Sequence, residues 1–68
     1  MNNPRKWKLW RVLKRRGMTM QDLADVTGYS RNHIQRVKSG DRPLSKGLRA
    51  AIVLALNVPA DLLFSEEG

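Results

Sequence analysis

Four side chains between positions 31 and 36 carry the strongest chemical pattern in the chain. Arg31, Asn32, Gln35 and Arg36 present hydrogen-bonding groups on planar ends. Arginine matches the O6 and N7 edge of guanine, and asparagine or glutamine the N6 and N7 edge of adenine, each through two parallel bonds. If the stretch is helical, at ~100° per residue Asn32, Gln35, Arg36 and Ser39 fall opposite Ile34 and Val37. Arg31 and His33 then sit on the shoulders, near the helix start. Exposed helix faces usually carry glutamate, yet no acid occurs between Asp25 and Asp41. The chemistry this pattern implies is readout of base edges in the major groove of duplex DNA.

The charge distribution points to the same partner. Thirteen Lys and Arg face six acids, a net +7 over 68 residues. All thirteen bases lie between Arg5 and Arg49, so the chain is +10 through Arg49 and −3 beyond it. Eight of the bases are arginine, the side chain suited to bidentate phosphate and base-edge contacts. A polyanion is the expected partner. Arg42, beside Gly40 and Pro43 in a loop, is a candidate for contact with the phosphate backbone or the minor groove, against a solvated loop charge, and Lys46 is similar. Arg5, Lys6 and Lys8 could form an arm along the DNA or a frayed basic terminus.

Other functions are excluded or disfavoured. The chain has no cysteine and one histidine, so no metal site is expected. No nucleophile has a paired base and no glycine loop could cradle a phosphate, so neither an enzyme nor a cofactor is expected. The longest apolar run, residues 50–56, is far short of a bilayer span. The basic start is followed by no apolar core or cleavage site, so the expected location is the cytoplasm.

These residues must be positioned by helices, and the sequence punctuates five. The first is expected over residues 4–16, with Asn3 as cap, Pro4 at the first position and Gly17 as terminator. Leu9, Val12 and Leu13 form its apolar face, with Trp10 on the shoulder and Trp7 pointing elsewhere. The second starts at Thr19, where Thr19-Met20-Gln21-Asp22 resembles a capping box with Asp for Glu, buries Leu23 and Ala24, and ends at Gly28. The third runs from Ser30, a good cap, to Gly40, with Ile34 and Val37 buried. Ser45 can cap the fourth, whose stripe is Leu48, Ala51, Ile52, Ala55 and Leu56. The fifth spans residues 59–64. No segment alternates as a strand does, so the expected fold is a single all-α domain over residues 1–68, a compact bundle of about five short helices. Residues 19–39 form a helix-turn-helix in which small Ala24 allows close approach and Gly28 makes the turn.

The run Thr19 to Ala24, then Gly28-Tyr29-Ser30, Ile34 and Gly40, resembles the lambda-repressor-like Cro/repressor (Xre-type) helix-turn-helix family. The tail Ala55-Leu56-Asn57-Val58 and Asp61-Leu62-Leu63 is similar to that family's closing helices. The resemblance implies a DNA-binding transcriptional regulator, bacterial or phage-encoded. It also implies a small Cro-like repressor acting as a dimer on a palindromic operator. It assigns base contacts to Arg31, Asn32 and Arg36, with Gln35 on the same edge. Phosphate contacts fall to Gln21 and Ser30 at helix starts, to His33, Lys38 and Ser39 along the third helix, and to the loop after Gly40. Three positions depart from the family pattern. Met20 stands where Gln is frequent, Leu13 and Lys38 replace a buried Arg–acid pair, and the loop at residues 40–45 is short.

Leu62, Leu63 and Phe64 offer apolar groups that belong either to the core or to a weak homodimer contact. Trp7 and Trp10 are read as packing residues rather than stacking platforms. The rival functions are an antitoxin built on the same domain, a restriction–modification controller protein and, in another class, a membrane-surface element made by the basic first helix.

Overall fold

The computed structural model describes residues 5–66. Five helices follow one another: α1 (Lys8–Arg15), α2 (Met20–Thr27), α3 (Arg31–Ser39), α4 (Lys46–Leu56) and α5 (Ala60–Leu63). No named strand occurs among the described residues. The nearest approach to one is an isolated antiparallel bridge between Trp7 and Glu66.

Local chemistry accounts for the helix boundaries. The Thr19 hydroxyl accepts from the Asp22 N–H at 3.1 Å, and the Asp22 carboxylate accepts from the Thr19 N–H at 2.9 Å. The capping box is therefore complete with Asp in the Glu position. Ser30 caps α3 through the His33 N–H at 3.1 Å, and Ser45 caps α4 through the Leu48 N–H at 3.2 Å. α2 ends at Gly28 with φ 79°, a left-handed conformation open to glycine at little cost.

α1 departs from expectation. It begins at Lys8 with Trp7 as N-cap, four residues later than the pattern indicates; Asn3 and Pro4 lie outside the described residues. Tertiary hydrogen bonds hold the preceding segment out of the helix. The Arg5 N–H donates to the Lys38 carbonyl at 2.7 Å, and the Lys8 N–H to the Ser65 carbonyl at 3.0 Å. The Trp10 indole N–H donates to the Arg5 carbonyl at 2.7 Å. Trp7 does not point away from the body. Its ring stacks on Trp10 with centroids 5.9 Å apart and meets Phe64 edge-on at 5.1 Å.

The core joins all five helices. Leu9 and Leu13 of α1, Leu23 and Ala24 of α2, Ile34 and Val37 of α3, Leu48, Ile52 and Leu56 of α4, and Leu63 of α5 are buried. No polar or charged residue is buried among the described residues, so the centre is held by apolar packing alone. Leu13 stands in that core and Lys38 covers the Trp10 ring at 5.2 Å. Apolar and cation–aromatic packing thus occupy the positions where the resembled family places an ion pair. Three expected stripe residues depart from full burial: Val12 and Ala51 are half-buried and Ala55 is exposed. The i, i+4, i+8 row Leu48, Ile52, Leu56 covers the core by itself and leaves Ala55 on the flank.

Candidate nucleic-acid interface

α2 and α3 pack at the Gly28 turn, with Ala24 at their junction. Ile34 and Val37 are each 1% exposed and fix the roll of α3. Arg31, Asn32, Gln35 and Arg36 consequently all project into solvent. Four side chains able to hydrogen-bond base edges thus share one rigid helix, with its first turn free to enter a groove.

The segment after α3 folds back beside it. The N–H groups of Asp41 and Arg42 both donate to the Arg36 carbonyl, at 2.8 and 3.2 Å. This wrap places Arg42 against α3. Ser30, Asn32, His33, Arg36 and Arg42 line one open polar cleft. Two guanidinium groups and the capped start of a helix make that cleft electropositive, suited to a phosphodiester oxygen beside a base edge.

The remaining candidates separate by environment. Gln21 is exposed near the start of α2 and donates to Asp25 at 2.9 Å. Lys46 is exposed at the first position of α4, and Lys6 is exposed ahead of α1. The Ser39 hydroxyl is engaged within the fold, with the Arg36 carbonyl at 3.1 Å and Asp41 at 3.2 Å. His33 is half-buried, stacked on Tyr29 at 5.5 Å, with its Nε2 covered and unbonded. It packs at the shoulder of α3 while its edge lines the cleft. Arg5 is not a free arm, because its backbone is tied to α3 and its guanidinium lies 5.7 Å from the Trp7 ring.

The residues assigned to a dimer contact also divide. Leu63 is 0% exposed and belongs to the core. Phe64 is half-buried against Trp7, and only Leu62, at 55%, is substantially exposed. Among the described residues the most exposed large apolar side chain is Leu54 on α4, at 81%, which sequence reasoning passed over. Its signal was present: position 54 is out of phase with 48, 52 and 56, so a leucine there must face outward.

Among the described residues no group of His, Cys, Asp and Glu could hold a metal ion, and no helix is long and apolar enough to cross a membrane. The helix-turn-helix family profile matches residues 10–63. The chain belongs to the helix-turn-helix family, in its Cro/C1-type branch. This helix-turn-helix protein is thereby a DNA-binding protein of the transcription-regulator class. Its fold is similar to that of the restriction-modification controller protein C.AhdI from Aeromonas hydrophila, with a TM-score of 0.75 and 24% identity over 84% of this chain and 86% of that one. It is also similar to the clp gene regulator ClgR from C. glutamicum, with a TM-score of 0.67 and 23% identity over 76% of this chain and 68% of that one. No curated protein matches this helix-turn-helix chain significantly by sequence.

Proposed function

We propose that the protein is a sequence-specific regulator that lays α3 in the major groove of a short palindromic operator and acts there as a homodimeric, Cro-like repressor in the cytoplasm. It is a binding protein rather than an enzyme, its whole length serves as one DNA-binding domain, and it needs no cofactor. The observation that carries this reading is the acid-free edge of α3: Arg31, Asn32, Gln35 and Arg36 are exposed together while Ile34 and Val37 lock the helix from behind. Arg31, Asn32 and Arg36 address base edges with Gln35 beside them. Arg42, Lys46, Gln21 and Ser30 address phosphates, and Lys38 and Lys6 add charge at the margins.

The dimer contact is assigned to the outward face of α4. Ala50, Leu54 and Ala55 are exposed there, with Lys46 one turn before Ala50 at the margin of the patch, and an isologous contact needs such a self-complementary surface. Two α3 helices related by a two-fold axis would read half-sites about one helical turn, ~34 Å, apart. Selection of bound sites from random duplexes, followed by sedimentation of the complex, tests the proposal. It predicts a palindrome with two protomers per site. Selection without any preferred sequence, or one protomer per saturated site, would overturn it. The likeness to a restriction-modification controller favours a second physiological role on the same chemistry, control of a neighbouring restriction–modification operon.

A further inference from the structure

α1 has two flanks beside its buried row. Trp10 and Lys14 occupy one, and together with Lys38 of α3 they border a shallow depression next to the reading helix. Lys8, Arg11, Val12 and Arg15 lie on the other flank, roughly 130° around the helix by its periodicity. They form one wall of a groove closed on the far side by Val58 and Leu62. Its floor is apolar: Leu62 is 55% exposed and Val12 and Val58 are half-buried. Its rim is cationic, and no acidic residue lines it. Arg11 already has a partner within the fold, so the rim charge available to a ligand is that of Lys8 and Arg15.

We propose that this groove docks an acidic segment of another protein that carries one or two large apolar side chains. The apolar floor takes the anchors, while Lys8 and Arg15 pair with carboxylates on either side. Helix-in-groove and acidic-motif recognition use this combination of contacts. A second copy of the chain is a poor occupant, because two-fold pairing would set Lys8 and Arg15 of each copy against the same cations of the other. DNA is a poor occupant because leucine and valine make up the floor and the groove is turned away from α3. The docking chemistry does not depend on the DNA-binding function proposed above. Where that function holds, the groove stays open on the DNA-bound protein, so the regulator could meet a second protein at its operator.

The test uses a fluorescein-labelled synthetic helical peptide with leucine at i, i+3, i+4 and glutamate elsewhere. Companion peptides carry lysine for glutamate or alanine for leucine. Anisotropy measures affinity, and amide chemical shifts of the full-length 15N-labelled protein map the site, each with and without bound duplex. The expected result is saturable binding of the Glu/Leu peptide alone, with shifts centred on Lys8, Val12, Arg15, Val58 and Leu62, and unchanged when DNA is present. L62E should weaken it about tenfold, as loss of one apolar anchor does, and the neutral R15Q should weaken it while the protein stays folded by circular dichroism. Failure to bind DNA would leave the groove result standing, so the two proposals fail separately. Shifts on α3 instead of the groove, equal binding of the lysine peptide, concentration-dependent self-association through Leu62, or occupation of the groove by phosphatidylglycerol vesicles but not by peptide would each overturn the proposal.

Discussion

The Tyr29 hydroxyl occupies the space beside Gly47: a Cβ on Gly47 would lie 2.7 Å from the Tyr29 Oη. That contact ties the turn before α3 to the first turn of α4, and the Tyr29 ring in turn stacks on His33. A methyl group at position 47 must therefore displace the Tyr29 hydroxyl, and with it a ring stacked at the start of α3. G47A should gain up to about 1 kcal/mol of helix propensity but lose ~1–3 kcal/mol to overpacking. Y29F removes the obstructing oxygen. The double variant G47A/Y29F should be more stable than G47A alone, as measured in a thermal-unfolding cycle. Equal effects of G47A with and without Y29F would show that the contact constrains nothing.

Base preference should reside on Arg36 and Asn32. R36A is expected to cost ~1–3 kcal/mol on the selected operator and to relax the requirement for one guanine. N32A should do the same for one adenine, and it should leave random-sequence DNA nearly unaffected because no charge is lost. Titration of each variant against single-base-pair changes in the operator decides this. Unaltered preference at every position in both variants would remove α3 from the reading role.

Arg42 should behave differently, although it lines the same cleft as Arg36. Its expected contact is with the backbone, so R42A should weaken selected and random duplexes about equally. The salt slope should fall by roughly one unit per protomer. A change in base preference with an intact slope would reassign it to base reading.

L54E should separate assembly from folding. Leu54 is 81% exposed, so its replacement should change stability by no more than about 0.5 kcal/mol, while charge repulsion across a two-fold contact should abolish the dimer. Sedimentation of the variant free and on operator DNA gives the answer; an unchanged dimer would place the interface elsewhere.

T19A removes one half of the capping box at the start of α2. A loss of about 1 kcal/mol is expected, which for a domain of this size lowers the melting temperature by roughly 4–8 °C. Calorimetry of the variant checks it, and D22A should be non-additive with it because both hydrogen bonds belong to one motif.

The parts of the fold legible in the sequence were those set by local rules. Thr19, Ser30 and Ser45 cap as their chemistry dictates, Gly28 and Gly40 end helices in left-handed conformations, and Ile34 and Val37 orient α3 by their spacing. What escaped was set by contacts distant in sequence. Nothing local near Pro4 announces that Arg5 will bond to Lys38, or that Lys8 will bond to Ser65, yet those bonds delay the start of α1. The ambiguity of Leu62, Leu63 and Phe64 has the same origin. α5 is four residues long, too short for periodicity to say which side chain turns inward, and packing against α1 and α4 decides it. The side chains of the reading edge were legible because they depend on one helix only; the cleft that adds Arg42 needed the loop to be seen folding back.

The division of labour along α3 bears on how such a protein changes over time. Ile34 and Val37 are buried and hold the helix, whereas Arg31, Asn32, Gln35 and Arg36 are exposed. On the reading proposed above, address and architecture are written on separate letters of the same nine-residue helix. Exchanging exposed address letters costs the architecture little, so a lineage of such proteins can move from one operator to another through intermediates that remain folded.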